Sequence, residues 1–187
     1  MLPRNSIMNF DDNISIVCPE LLLLQMASLL PFLQFCLIAY EFCGTFTIDH
    51  NTKNFVNNIE PITNKIKIEN FIAKIEKKNK NAKSIKIIKN LLEVLEDGAA
   101  SPMESRLFLK LCGNRKLGLY GCKNLKFNQN IEMSTQAQKI AGQRIIIPDI
   151  VNKQRKVAIE YNSSMFHEDS VQGQKDQKRR DALVYDG

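Results

Sequence analysis

Two acidic residues in the C-terminal third of the chain, Asp149 and Glu160, each follow a short run of apolar residues. The run before Asp149 is Ile145-Ile146-Ile147-Pro148, and the run before Glu160 is Val157-Ala158-Ile159. Acids at the ends of neighbouring strands can converge on one metal ion, and carboxylate oxygens are ligands that Mg²⁺ prefers. A bound ion of this kind activates water and stabilises charge on a phosphate. The chemistry these residues indicate is metal-assisted cleavage of a phosphodiester bond.

The elements that must position these acids are predicted from the surrounding pattern. Residues 144–151 and 156–161 are rich in β-branched residues, and the polar stretch between them predicts a hairpin. The pairing register stays open, because the two acids need not lie directly opposite and reach one metal ion only if the sheet splays or bulges. A further strand is predicted over residues 125–131, and a polar helix from Ser170 to about Tyr185.

A helix start is predicted at Ser101-Pro102-Met103-Glu104. Ser101 caps the helix, Pro102 takes its first position, and Glu104 reaches back as a capping-box acid before Gly113 ends the helix. The order helix, strand, strand, strand, helix predicts an α/β layer with helices packed on a sheet.

A known family shares an ordered series of these residues. The series comprises Ser101-Pro102-Met103-Glu104, Pro148-Asp149, Glu160-Tyr161-Asn162-Ser163, His167, and Asp176 through Arg179-Arg180. It resembles the DUF559 family of bacterial proteins, which is related to very-short-patch repair (Vsr-type) endonucleases within the PD-(D/E)XK superfamily. The resemblance covers residues 100–187, and it implies a restriction-endonuclease-like core, a central mixed sheet flanked by helices. Cys18 through Gly44 is similar to the helical region of abortive-infection antitoxin-type relatives.

The resemblance also implies roles for individual residues. Asp149 and Glu160 hold Mg²⁺ or Mn²⁺, while Glu104 is the acid of the first motif and His167 acts as an acid, a base or a phosphate contact. The trailing helix faces DNA phosphates through its cations, which are Lys175, Lys178, Arg179 and Arg180.

Two departures from the family pattern bear on activity. Asn162 stands where the superfamily has lysine and the nearer family has aspartate, and its neutral side chain weakens the expected Mg²⁺ binding. Lys175 or Lys178 could supply the missing cation. The family's core also continues into a further strand after the trailing helix, so the chain reads as a fragment or a degenerate copy that lacks its C-terminal strand.

The first half of the chain reads as an α-helical region, residues 1–98, that precedes the nuclease-like domain of residues 99–187. Two apolar helices are predicted from Pro19 to about Leu30 and from Pro31 to near Gly44, and two amphipathic helices are predicted from the spacing of isoleucine and leucine between residues 66 and 95. Residues 45–58 read as a polar connector.

Charge and cysteine content restrict the partners and the setting. The net charge is +6, and between Thr63 and Lys89 nine lysines stand against two glutamates. Such a segment suits a polyphosphate partner such as DNA, although a lysine-, asparagine- and isoleucine-rich composition set by AT-rich codons is the favoured explanation. Five cysteines without a C-x-x-C pair indicate neither a zinc site nor a disulfide framework, which favours the cytoplasm.

A membrane span over Leu21–Tyr40 is the minor alternative for the uncharged stretch near the N-terminus, and Pro31 within it favours two helices. The leading hypothesis is a metal-dependent DNA endonuclease of phage defence or mobile elements. Its rival is a catalytically decayed, antitoxin-like protein that binds DNA on the same fold. The sequence does not indicate an oligomeric state.

Overall fold

The computed structural model describes residues 2–49, 51–52, 54–77, 82–161 and 170–186. Within these ranges the chain forms seven α-helices and nine short strands, so the fold is mixed α/β. The chain divides into two compact units, Met1–Gly121 and Cys122–Gly187. The domain boundary expected from the sequence, between residues 98 and 99, falls inside the first of these units.

The first unit begins with an antiparallel hairpin that the sequence pattern did not indicate. Strands β1 (Ile7–Asp11) and β2 (Ile14–Val17) pair with Ile7 opposite Val17, and the polar pair Asp12-Asn13 makes the turn. Nearly all of its side chains are exposed, including the 72% exposed Phe10. The hairpin therefore adds little to the core of the unit.

Two apolar helices follow, as the sequence predicted. Helix α1 (Pro19–Met26) has proline in its first turn, and α2 (Phe32–Cys43) begins directly after Pro31. The side chain of Tyr40 on α2 is fully buried, and its hydroxyl donates a hydrogen bond to a backbone carbonyl. No helix among the described residues is long and apolar enough to cross a membrane.

The segment expected to be a polar connector contains a second hairpin, so that prediction is wrong. Strands β3 (Phe46–Ile48) and β4 (Phe55–Asn57) are antiparallel, and Phe46 packs edge-on against Phe55 with ring centroids 6.5 Å apart. Phe46 is 1% exposed. The buried ring provides the apolar anchor that the asparagine-rich composition conceals.

Three helices complete the first unit. The amphipathic pair α3 (Lys65–Glu76) and α4 (Lys83–Leu92) packs on α1 and confirms the predicted spacing. Helix α5 (Pro102–Cys112) begins with Ser101, whose hydroxyl oxygen accepts a hydrogen bond from the amide of Glu104, as the capping box predicts. It packs on α2, where the rings of Tyr40 and Phe108 meet edge to face.

The second unit interleaves short strands with two helices. The strands are β5 (Lys126–Phe127), β6 (Ile131–Glu132), β7 (Ile145–Ile146), β8 (Ile150–Asn152) and β9 (Val157–Ile159). The helices are α6 (Thr135–Ala141) and the predicted trailing helix, α7 (Ser170–Asp186). Strands β5, β8 and β9 form one antiparallel sheet in that order, while β6 and β7 form another.

A small core joins α6 and α7 to the two-stranded sheet, and it contains Met133, Ala137, Ile146 and Ala182. The expected strand over residues 125–131 divides into β5 and β6, because Asn128 between them has a positive φ of 48°. The hairpin of β8 and β9 confirms the predicted turn. A restriction-endonuclease-like core with a central mixed sheet remains a prediction, since the pairings among the described residues are all antiparallel.

Candidate functional site

Asp149 and Glu160 stand in facing positions at the open end of the β8–β9 hairpin. The ladder pairs Ile150 with Ile159, so the next step of the same register sets Asp149 opposite Glu160. Directly opposed residues in an antiparallel pair project to the same face, with Cβ atoms about 4.5–5.5 Å apart. Continued one residue past the last ladder pair, this register places the two acids opposite each other, and the charge of Asp149 acts on the Glu160 carboxyl.

The backbone around Asp149 is held from both sides. Its carbonyl oxygen accepts a hydrogen bond of 3.1 Å from the amide of Asn128, next to β5. Its side-chain Oδ2 accepts one of 2.6 Å from the amide of Tyr161, next to β9. These two bonds extend the three-stranded sheet past its last ladder pairs and fix where the Asp149 carboxylate lies.

Helix α7 brings a cation to the same place. The Nη2 atom of Arg179 donates to Glu160 Oε1 at 2.9 Å and to the carbonyl oxygen of Ile147 at 3.3 Å. Its Nε atom is buried and has no hydrogen-bond partner among the described residues. Arg179 thus has one guanidinium nitrogen engaged by the acid and a second nitrogen that is buried without a partner among the described residues.

The surroundings shift the ionisation of Glu160. Burial is the largest cause and raises the pKa of its carboxyl above the usual value for glutamate, while the Arg179 guanidinium opposes the rise. The nearby charges of Asp149 and Asp176 raise the pKa further, and Arg180 lowers it. Three carboxyls and two arginines therefore influence one another here, and a raised carboxyl pKa in such a cluster is typical of functional sites.

The other residues proposed for the site are on α7, in the first unit or outside the described residues. Lys175 and Lys178 are exposed on α7, whereas Arg179 is half-buried. Glu104 belongs to the first unit, and its two carboxylate oxygens accept hydrogen bonds from the Ser101 hydroxyl and the Ala100 amide, 2.9 and 3.0 Å long. The Ser101 half of the predicted capping box forms, while the Glu104 carboxylate accepts from the Ala100 amide, one residue before the predicted Ser101 amide. The remaining two candidates, Asn162 and His167, lie outside the described residues.

The donor types suit a hard divalent cation. Mg²⁺ is commonly bound through one or two carboxylates while water completes its shell, and Asp149 with Glu160 offers such a pair. Within the described part of the chain, no group of three or more His, Cys, Asp or Glu side chains is placed to hold a metal ion. The pair therefore fits a partly hydrated Mg²⁺ or Mn²⁺ and does not fit a closed protein cage.

A cavity of about 1020 Å³ opens beside Glu160 within the second unit. Its walls come from β6, from the β8–β9 hairpin and from the last turns of α7, and they include Met133, Val151 and Leu183. Cations from the hairpin turn and from α7 also line it, namely Lys153, Lys156 and Arg180. Glu160 thus lines a concave, partly apolar space.

Two features of this region escaped the sequence pattern. The sequence pattern assigns Lys153 and Lys156 only to the hairpin. Their position between two strands that lead to the site could have indicated a role in ligand binding. The ion pair between Arg179 and Glu160 joins residues that are 19 positions apart, and no pattern in the segment between them indicates that they meet. Comparisons with models of protein families, with curated proteins and with solved structures found no match to this chain.

Proposed function

We propose that the second unit is a metal-dependent endonuclease that cleaves phosphodiester bonds in DNA, with Asp149 and Glu160 as the metal-binding pair. The observation that supports this most is the register of the β8–β9 hairpin, which sets these two acids opposite each other. The pKa of Glu160 is raised mainly by burial and further by the charges of Asp149 and Asp176, and a divalent cation bound between the acids would relieve that repulsion.

The ion held by this pair would be Mg²⁺ or Mn²⁺, and it would supply a water nucleophile at neutral pH and Lewis-acid stabilisation of phosphate charge. The chain's own residues prepare that place. The Tyr161 amide fixes one oxygen of Asp149, and the Arg179 guanidinium holds one oxygen of Glu160. Both carboxylates are therefore oriented before any ligand arrives, which reduces the ordering needed on binding.

Arg179 has a positioning role in this proposal. Its Nε atom is buried, so a substrate oxygen does not reach it. The guanidinium acts instead through its hydrogen bond to Oε1 of Glu160, which holds that carboxylate in place. The planar fork of arginine is suited to fixing a carboxylate in this way.

DNA is the substrate we favour because the first unit carries a second cationic surface. We call it the lysine face, and it comprises the exposed side chains of Lys67 and Lys74 on α3 and of Lys83, Lys86 and Lys89 on α4. Of these, Lys89 pairs with Glu76 at 2.5 Å. Exposed lysines on neighbouring helices attract a phosphate backbone without regard to base sequence.

A second candidate function is DNA binding without cleavage. One observation favours it: Arg179 already compensates the charge of Glu160, so the pair is stable without a metal ion. Under this alternative the cations bind DNA phosphates, and the carboxylates only hold the arginine in position. The sequence departure at Asn162 points in the same direction.

Cleavage of supercoiled plasmid in Mg²⁺ or Mn²⁺ separates the two functions. Replacing Glu160 by glutamine, or Asp149 by asparagine, keeps the side-chain shape but removes a charged metal ligand. We expect the rate of nicking to fall about 100-fold or more, because metal-derived stabilisation of the transition state is worth several kcal/mol.

The matched control is Asp181→Asn, which removes an exposed acid of the same unit that accepts a hydrogen bond from Gln177 and does not line the cavity beside Glu160. This variant should cleave like the original chain. Equal nicking by the Glu160→Gln and original proteins contradicts the proposed mechanism. Retarded plasmid in gel shifts, with no nicking by any variant, establishes the DNA-binding alternative.

A further inference from the structure

The cavity beside Glu160 has chemical features that metal binding does not explain. Its volume of about 1020 Å³ lies at the upper end of the roughly 300–1,000 Å³ that ligand pockets occupy. Apolar side chains form much of its wall, and some of them face solvent at its mouth, such as the 81% exposed Val184 and the 42% exposed Val157. A ligand with an apolar, flat portion would cover them.

The charged groups of the cavity differ in whether they have partners. Each acid has one: Glu132 faces Arg144, Glu160 bonds Arg179, and the carboxylate of Asp186 accepts two hydrogen bonds from Ser134. Within the part of the chain that the structure describes, no hydrogen bond or ion pair engages the side chains of its three cations, Lys153, Lys156 and Arg180. Arg180 and Lys156 lie near enough to Glu160 and Asp186 to favour the charged form of those carboxyls, but no direct bond engages the three cations, so their donors remain available to an anion.

Two of these cations stand on a turn with a defined backbone. The buried side chain of Asn152 donates to the Lys123 carbonyl at 2.9 Å and accepts from the Arg155 amide at 3.0 Å. Lys156 has a positive φ of 53°, a conformation that non-glycine residues adopt at a cost. The fold thus keeps a lysine at a position where glycine fits the backbone better.

The nearest acid to this turn does not cancel the lysine charge. Hydrogen bonds from Ser134 are the main reason that the pKa of Asp186 lies below its usual range, and Lys156 adds a smaller electrostatic effect. Since the Asp186 oxygens are already directed at Ser134, the Lys156 ammonium remains available to a ligand.

We propose that this cavity binds one nucleoside 5′-phosphate unit, with the base against its apolar wall and the phosphate at Lys153, Lys156 and Arg180. This identification of the ligand rests on the proposed function. The unit is then an unstacked nucleotide of the DNA beside the cleaved bond. An apolar wall with unpaired cations at one end fits an amphipathic anion. Neither a free sugar nor inorganic phosphate uses both features.

The test measures binding of thymidine 5′-monophosphate to the full chain by NMR titration in EDTA, so that it does not depend on metal or cleavage. We expect thymidine monophosphate to bind more tightly than either thymidine or inorganic phosphate. Lys156→Gly, which relieves the backbone, and Lys153→Gln should each weaken binding about fivefold, the size of one exposed charge contact. The matched control Lys139→Gln alters an exposed lysine on α6, outside the cavity, and should leave binding unchanged.

A duplex that carries 2-aminopurine at the cleaved step extends the test to DNA, since its fluorescence rises when the base leaves the stack. A rise that Lys156→Gly reduces supports the cavity as the place of the unstacked base. Thymidine that binds as tightly as its monophosphate, or unchanged affinity in both cavity variants, overturns the inference. Because these titrations contain no metal, absence of nuclease activity would refute the proposed function and leave this result standing.

Discussion

Replacing Arg179 tests whether its contact with Glu160 stabilises the second unit through charge or through packing, because the two causes predict different dependence of stability on pH. Replacing Arg179 by methionine keeps most of the side-chain volume but removes the cation, both of its hydrogen bonds and the buried Nε atom. Glu160 is then left beside Asp149 and Asp176 without its nearest compensating charge. We expect the variant to fold and to lose stability in a pH-dependent way.

The magnitude follows from the geometry of the pair. At 2.9 Å, an effective dielectric of about 20 gives a gross attraction of roughly 6 kcal/mol. Desolvation offsets most of it, and the two side chains remain 31% and 21% exposed, so a net value of about 1.5–3 kcal/mol is the usual range for such a bond. Because the variant no longer buries the unpaired Nε atom, it recovers part of this lost free energy of unfolding. The expected net loss is about 1–2 kcal/mol at pH 8.

The pH dependence has a definite sign. The pKa of Glu160 is raised in the folded state, so the fold favours its protonated form. Stability from this group is fully present below the unfolded-state pKa and is lost as pH rises through the folded-state pKa. Loss of Arg179 removes the cause that lowers this pKa, so the variant should lose stability more steeply between pH 5 and pH 8 than the original chain.

Urea unfolding followed by the amide NMR signals of β8 and β9 reports on the second unit alone. We expect the Arg179→Met variant to lie within about 0.5 kcal/mol of the original protein at pH 5 and to diverge as pH rises. Combining it with Glu160→Gln should restore stability at pH 8, because the uncompensated acid is gone. An equal loss at both pH values, or a double variant as unstable as Arg179→Met, would refute the electrostatic account and assign the effect to packing.

Two further predictions concern capping residues. Glu104→Ala should destabilise the first unit by about 1 kcal/mol in urea unfolding, because the start of α5 loses its capping box, while plasmid nicking stays unchanged; reduced nicking at unchanged stability would return Glu104 to the catalytic site. Ser134→Ala removes the cap of α6 and the hydroxyl that donates to Asp186, while the backbone amide at this position keeps its own bond to the same carboxylate, so amide hydrogen exchange in α6 and at the end of α7 should accelerate about fivefold; acceleration confined to α6 would show that the hydroxyl bond does not anchor α7.

The elements predicted well are those whose ends carry their own chemical signal. Proline in the first turn of α1 and the Ser101–Glu104 capping box are local features, and both helices begin where those signals indicate. Helix α6 has comparable signals, a Ser134 cap and Gly142 with a φ of 71° after its last turn, but its seven residues are too short to show an apolar period. Short strands are harder still, because two or three residues carry no period at all.

The sequence predicted which residues form the site better than it predicted how those residues contact one another. Residue type and strand position identified Asp149 and Glu160, yet whether they met depended on a register that only the pairing of Ile150 with Ile159 reveals. A slip of one residue would have sent the two side chains to opposite faces of the sheet. Periodicity in β8 and β9 could not exclude that slip, since both strands are only three residues long.

Helix periodicity in the sequence could have identified Arg179 as the cation that contacts Glu160. Lys175 and Lys178 were proposed as replacement cations, but both are exposed, and Arg179 makes the contact. Arg179 precedes the apolar pair Ala182-Leu183 by three and four residues, and residues at this spacing share a helix face. Because Ala182 is fully buried and Leu183 packs against the same core, that face must turn towards the sheet and carry Arg179 with it. The helical spacing from Ala182 and Leu183 therefore selects Arg179. The spacing of lysines in the sequence does not select it.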